Sequence, residues 1–142
     1  MADLNQMLKL FNQYVNQNSQ SKTREKAQRF FQGLLIEDLA CWQWLEVGRA
    51  FSRIDGLLAL RALCQARLQA KEPADLIKII KLIDSLIFES QSLQGLAEVM
   101  IKLCLQGAFK HTSTPGEVFE LRNTICLQLP HLVPCVDKIL TR

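Results

Sequence analysis

The stretches LIKIIKLIDSLIF, residues 76–88, and LQGLAEVMIKLCLQGAF, residues 93–109, decide the fold class of this chain. In both, apolar side chains recur at the three- and four-residue spacing of an α-helix. Apolar residues cover about two-thirds of the circumference of the predicted helix 75–89, so we expect several other helices to surround it, and helix 93–109 is similar. The short polar run between the two predicts an antiparallel helical hairpin.

The same periodicity extends outward from this hairpin, and it predicts further helices and no convincing strand. Pro73 suits the first turn of a helix, where a missing backbone N–H costs nothing. In TPGE, residues 114–117, Thr114 is predicted to cap a helix, Pro115 to begin it and Glu117 to complete a capping box. Ser52 or Asp55 is expected to cap the helix that begins near Gly56.

The predicted fold class is all-α, a single domain over residues 1–142. It is an irregular bundle of about six or seven helices, or a set of stacked antiparallel hairpins. Residues 1–21 are assigned to an N-terminal helix and polar linker, residues 22–110 to a central helical core, and residues 111–142 to a capped helix and a short last helix. The pattern alone leaves open whether the tryptophans at 42 and 44 lie on a helix of their own.

Composition excludes several classes of protein. Nearly half of the 142 residues are hydrophobic, and the net charge is only +3. The first residues lack the basic and apolar segments of a secretory signal, and no clean apolar run is long enough to cross a membrane. The five cysteines are widely spaced in apolar patterns, which indicates buried, reduced thiols. We therefore predict a cytoplasmic protein with no membrane insertion, with the nucleus as the alternative compartment.

Residues that could carry chemistry are few. His131 and Cys135 have the four-residue spacing of two metal ligands on a helix, but Pro134 between them disrupts that geometry. Asp84 interrupts an apolar arc, where it is either a desolvated general acid or base, or the partner of Lys81. No phosphate-binding glycine loop and no hydrolase motif is present. We predict no catalytic residues, no cofactor and no metal site.

The segment CWQWLEVGRAFSR, residues 41–53, provides the main functional hypothesis. On a helix Trp44 shares a face with Phe51 and belongs to the core. Trp42 lies about 200° away, on a charged face. Three interpretations of Trp42 follow: another part of the chain such as the first helix covers it, it anchors a partner, or it is a lone exposed aromatic. The predicted partner-binding residues are Trp42, Glu46, Arg49 and Arg53.

We therefore predict a non-enzymatic protein-interaction module, an adaptor, scaffold or assembly subunit that binds a partner helix or peptide; a homo-oligomer is left open. The alternative is a nucleic-acid-binding helical domain, because basic residues cluster at 22–29 and 49–71 and such strips bind phosphate backbones. The residues assigned to that alternative are Lys22, Arg24, Lys26, Arg29, Arg61, Arg67 and Lys71.

Overall fold

The computed structural model describes residues 4–17 and 20–141, and the side chains of residues 4–13 and 22–141. Within these ranges the chain forms eight α-helices, one 3₁₀-helix and no strand. The all-α fold class is confirmed. The predicted number of helices is too low because a helix ends at Leu35 and a separate one, with both tryptophans, begins at Cys41.

Backbone contacts divide the chain into two units, Met1–Gln69 and Ala70–Arg142, called here the N-terminal unit and the C-terminal unit. The boundary falls inside the segment 22–110 that the sequence assigns to one central core. The single-domain assignment stays a prediction. None of the helices in the described ranges has both the length and the apolar character needed to cross a membrane.

The N-terminal unit contains four helices, and its third and fourth helices form a hairpin. Their bounds are α1 Leu4–Gln17, α2 Gln20–Leu35, α3 Cys41–Phe51 and α4 Gly56–Gln69. Asp55 caps α4, because its Oδ1 accepts a hydrogen bond from the backbone N–H of Leu57 at 3.0 Å. Ser52, the other predicted cap, instead donates its hydroxyl to the carbonyl of Arg49 at the end of α3.

A cluster of aromatic rings lies in the core of the N-terminal unit, together with buried leucines and alanines. Phe51 is fully buried, and its ring centroid lies 5.7 Å from that of Phe11 and 6.2 Å from those of Phe30 and Phe31. Phe31 also packs on Trp44 at 5.8 Å. Tilted and edge-on ring pairs at these separations stabilise a core beyond the area they bury. The rings therefore connect α1, α2 and α3.

The α3–α4 crossing depends on Gly48. A Cβ atom at this position would lie 2.9 Å from Leu63 Cδ2 and 3.1 Å from Leu63 Cγ. Since Leu63 is fully buried, it has no open space into which to move. The missing side chain is what allows the two helices to approach this closely.

The C-terminal unit has an aliphatic core. Its helices are α5 Pro73–Ser85, α6 Gln91–Lys110, α7 Pro115–Gln128, the 3₁₀-helix Pro130–Leu132 and α8 Val133–Leu140. Ile79, Ile80 and Leu105 are completely buried, as are Ile125 and Val136. The position of Gly107 beside Leu76 shows that α5 and α6 are antiparallel, because the end of α6 meets the start of α5. The predicted hairpin is confirmed.

The predicted helix 75–89 is too long at its carboxyl end. The helix ends at Ser85, and Leu86 has extended backbone dihedrals, φ −84° and ψ 145°. Ile87, assigned to the apolar arc, is 95% exposed, whereas Phe88 is buried. An extended backbone points successive side chains in opposite directions, so only one of these two neighbours reaches the core.

The starts of α6 and α7 follow the cap rules. Ser90 Oγ accepts a hydrogen bond from Leu93 N at 3.1 Å, and Thr114 Oγ1 accepts one from Glu117 N at 3.2 Å. Glu117 Oε2 accepts from the backbone N–H of Ser113, one residue before the expected partner in a capping box. Pro73 and Pro115 each occupy the first helical position, as predicted.

Candidate partner-binding surface

The first turn of α3 directs the two tryptophans to different environments. The backbone N–H of Ala40 donates to Gln43 Oε1 at 2.8 Å, which stabilises the start of the helix just before them. Trp44 is 2% exposed, so its assignment to the core is confirmed. Trp42 is 60% exposed. The interpretation in which the first helix covers Trp42 is therefore wrong.

A groove between α1 and α3 contains three of the four predicted partner-binding residues. Its volume is about 500 Å³; α3 contributes Glu46, Arg49 and Ala50 to it, and the turn that follows α3 contributes Arg53. Trp42 is not among its lining residues. It lies on the same face of α3 one turn before Glu46, because residues four apart on a helix are neighbours. We call Trp42, Glu46, Arg49 and Arg53 the α3 surface.

The other wall of the groove belongs to α1, whose residues the sequence pattern did not mark as part of a site. Asn5, Lys9 and Asn12 line the groove, as do Leu8 and Gln13. Asn5, Lys9 and Asn12 recur at helical spacing on one face, and that polar stripe is the signal that could have marked them. Nothing in the pattern of α1 indicates that this face meets α3.

The groove is basic. Lys9, Arg49 and Arg53 line it with Glu46 as the one carboxylate. Arg49 Nη1 lies 2.7 Å from Glu46 Oε1, in an ion pair between residues three apart. Because both side chains are largely exposed, this pair contributes little to stability and mainly orients the two groups. The groove therefore carries a net positive charge beside the exposed indole of Trp42, and the ion pair orients the side chains of Arg49 and Glu46.

A second basic groove lies on α2. Lys22, Lys26 and Arg29 line it with Glu25 and Phe30, around a volume of about 610 Å³. These are three of the four basic residues that the nucleic-acid alternative takes from 22–29.

The other residues of the nucleic-acid alternative are not among the residues that line this groove. Arg24 donates its Nε to the carbonyl of Ile54 at 3.4 Å, and the Arg61 guanidinium lies over the ring of Phe31 at 4.9 Å. Both contacts are within the N-terminal unit. Arg67 lies on α4 of that unit, whereas Lys71 belongs to the C-terminal unit. The break at residues 52–55, which contains Arg53, separates Arg49 from α4.

Asp84 lies at the surface. Its Oδ1 is 2.8 Å from Nε2 of His131, and both side chains are substantially exposed. Neither expectation from the sequence describes it, since the carboxylate is not desolvated and its observed partner is His131 rather than Lys81. The 3₁₀-helix that begins at Pro130 presents His131 to the end of α5.

Among the side chains of residues 4–13 and 22–141, no group of three or more His, Cys, Asp or Glu is placed to hold a metal ion. His131 lies on the 3₁₀-helix and Cys135 on α8, so the two do not share a regular helix face. His111 is exposed at the end of α6, in the connection to α7.

All five cysteines lie within the described residues and carry reduced thiols, outside any disulfide. Cys41 and Cys104 are buried, whereas Cys64, Cys126 and Cys135 are partly exposed, so only two fit the predicted burial. Burial raises the pKa of the Cys64 thiol above its usual value, although Arg67 and Arg61 act in the opposite direction. A thiol with a raised pKa is a poor nucleophile at neutral pH.

No protein-family model matches this chain, and neither a curated protein nor a solved structure matches it. The functional assignment therefore rests on the surfaces of the chain itself.

Proposed function

We propose that the chain is a non-enzymatic protein-interaction module that binds an acidic helix or peptide through the α3 surface and the groove beside it. The observation that carries the proposal is the exposure of Trp42 next to that basic groove. Tryptophan and arginine are the residues most enriched at binding hot spots, because each buries a large area and also offers a hydrogen-bond donor.

The charge of the groove defines the partner's chemistry. Carboxylates on the partner would meet Lys9, Arg49 and Arg53, and arginine binds carboxylates in a planar, two-point geometry. An apolar side chain of the partner would meet the Trp42 indole one turn away. The partner is therefore an acidic segment that carries at least one large apolar residue.

The decisive test compares wild type with Trp42→Ala, Arg53→Glu and the control Leu68→Ala in parallel affinity captures analysed by mass spectrometry. Leu68 is also an exposed apolar residue of the N-terminal unit, but it lies on α4. We expect a protein whose recovery falls about tenfold or more with Trp42→Ala and Arg53→Glu and is unchanged with Leu68→Ala. An acidic segment of that protein should then protect the exposed indole from acrylamide.

The Trp42→Ala variant should keep its helical circular dichroism and a free energy of unfolding within about 0.5 kcal/mol of wild type, because surface substitutions cost little. Unfolding of this variant would show that Trp42 is structural, which would contradict the proposed binding role of the α3 surface. The proposal is also contradicted if none of the three substitutions changes the recovery of any captured protein.

Nucleic-acid binding is the alternative, and the α2 groove with its three cations favours it. Titration of duplex DNA and RNA at increasing salt separates the two functions. Backbone binding by Lys22, Lys26 and Arg29 would fall steeply with salt, and Trp42→Ala would not change it. No affinity at low ionic strength would exclude this alternative.

A further inference from the structure

A groove of about 460 Å³ separates α5 from α7 in the C-terminal unit, and the two helices run parallel beside it. Thr112, in the connection before α7, lines the groove together with Pro73 at the start of α5. Asp84, near the end of α5, contacts His131, which follows α7, at 2.8 Å. The two helices therefore begin at one end of the groove and finish at the other.

The two walls of the groove carry opposite charges. Lys78 and Lys81 line it from α5, and Glu117 and Glu120 line it from α7. All four residues are exposed, and each pair is three residues apart, so its two like charges are neighbours on one helix face. Among the described residues, the ion pairs join other side chains and none of them crosses the groove. Each wall thus presents two like charges toward the groove.

The carboxylates nearest to the lysines along α5 are engaged elsewhere. Asp75, three residues before Lys78, accepts a hydrogen bond from the backbone N–H of a residue that precedes the helix, at 3.2 Å. Asp84, three residues after Lys81, contacts the 3₁₀-helix instead. Residues three apart on a helix are within reach of each other, so either acid could have paired with its lysine. The two ammonium groups are left for an anion in the groove.

The groove suits a polar ligand. Ile77 and Leu121 form its floor, but they are only 6% and 9% exposed, so they offer little apolar surface to cover. Thr112, Thr124 and Gln128 add hydroxyl and carboxamide groups, which both donate and accept hydrogen bonds. Peptide groups need a donor and an acceptor in the same way.

We propose that this groove binds a short peptide of about three residues with free termini. The ammonium of its first residue meets Glu117 and Glu120, at the end of the groove where both helices begin. Its terminal carboxylate meets Lys78 and Lys81, farther along α5, and its peptide groups bind the uncharged polar side chains. This site lies within the C-terminal unit and does not depend on the proposed function of the α3 surface.

The length of the groove selects a peptide over a free amino acid. Ala74 and Lys81 both line it, and their separation in sequence corresponds to about 10 Å along α5. An extended chain of three residues spans about 10 Å. In a free amino acid the ammonium and the carboxylate are attached to one carbon atom, so they cannot reach both ends. Because the floor offers no apolar pocket, peptides of different sequence should bind alike.

Titration of the isotope-labelled full chain with triglycine, followed by NMR chemical shifts of the backbone amides, tests the site. We expect saturable shifts confined to α5, α7 and the connection before α7, with a dissociation constant in the millimolar range, because charge contacts at an exposed site are weak. N-acetyltriglycine lacks the ammonium and triglycinamide lacks the carboxylate. Each should bind about fivefold more weakly or worse, and so should glycine.

Two charge reversals assign each terminus of the peptide to its wall. Lys81→Glu should weaken triglycine binding about tenfold without weakening triglycinamide, which has no carboxylate to repel. Glu120→Lys should weaken triglycine about tenfold without weakening N-acetyltriglycine, which has no ammonium. Lys102→Glu and Glu98→Lys are the matched controls: both residues are exposed on α6 and outside the groove, so the same changes in net charge should leave binding unchanged.

A wild-type chain that shows no saturable shifts with triglycine up to tens of millimolar would overturn the inference. Equal binding of triglycine, N-acetyltriglycine and triglycinamide would also overturn it, because the groove would then not recognise free termini. Both results come from the wild-type chain, so they do not depend on the folding of any variant. Shifts that map outside α5 and α7 would place the site elsewhere, and equal losses in the α6 controls would show a general charge effect.

Discussion

The N-terminal and C-terminal units are both helical, but different interactions determine their structures. In the N-terminal unit, rings from three helices meet at Phe51, and α3 and α4 cross where Gly48 has no side chain. In the C-terminal unit, branched aliphatic side chains fill the core, and Ser90 and Thr114 define helix starts by local hydrogen bonds. Both units use local hydrogen bonds at helix starts, but the aromatic cluster and the close helix crossing of the first unit join residues that are distant in the sequence.

Removal of a buried ring from the aromatic cluster should lower stability more than any other change proposed below. Phe51→Ala should lower the free energy of unfolding by about 3–5 kcal/mol, because it removes a fully buried ring and leaves a cavity among the other rings. Urea unfolding followed by tryptophan fluorescence measures it, since both tryptophans lie in the N-terminal unit. Phe119→Ala deletes the same ring at an exposed position of α7 and should change stability by less than about 0.5 kcal/mol. Equal effects would contradict the ring cluster.

A smaller effect tests the helix crossing. Gly48→Ala should destabilise the chain by about 1–3 kcal/mol, because its Cβ would lie within 2.9 Å of the buried Leu63. Gly33→Ala on α2 is the control: no heavy atom lies within 4 Å of its Cβ position, so it should stabilise by about 0.5–1 kcal/mol. Thermal denaturation of both variants shows whether each substitution raises or lowers the stability of the chain. A stabilising Gly48→Ala would show that α3 and α4 separate without cost.

The weakest of these effects on stability concerns a helix cap in the C-terminal unit. Thr114→Ala removes the cap of α7 and should cost about 1 kcal/mol. Ser92→Ala, at an exposed position within α6, is the control and should have almost no effect. If the chain is one cooperative domain, Thr114→Ala shifts the midpoints from circular dichroism and from tryptophan fluorescence equally. A shift seen by circular dichroism alone would contradict the single-domain assignment.

Helix starts were predictable from the sequence where one residue type is required for a chemical reason. Asp55, Thr114 and the prolines at 73 and 115 all occupy the roles that their side chains favour. Helix ends were less predictable. No glycine or proline lies between Ile83 and Phe88 to mark the end of the helix. The apolar pattern therefore continues past Ser85, although the helix ends there. The extended backbone at Leu86 accompanies the burial of Phe88 in the core.

The candidate site was predictable in part for a similar reason. Helical spacing places Trp42 on the charged face of α3 with Glu46, Arg49 and Arg53, and the structure puts the three charged residues in one groove. The α1 wall was missed because a helix pattern states which residues share a face and not which helix that face meets. The expectation that several helices surround helix 93–109 is wrong for Leu96, Val99 and Leu103, which are exposed. It failed because an exposed apolar residue has the same periodicity as one in the core.

The all-α class, the α5–α6 hairpin, the principal helix starts and the burial of Trp44 follow from the sequence alone, because periodicity and capping act over only a few residues. Four features were visible only in the folded chain: the exposure of Trp42, the α1 wall of the groove beside α3, the contact of Asp84 with His131 rather than Lys81, and the exposure of Leu96, Val99 and Leu103. Each of these depends on which faces meet across the chain. Periodicity defines a face, whereas the geometry of packing decides what covers it.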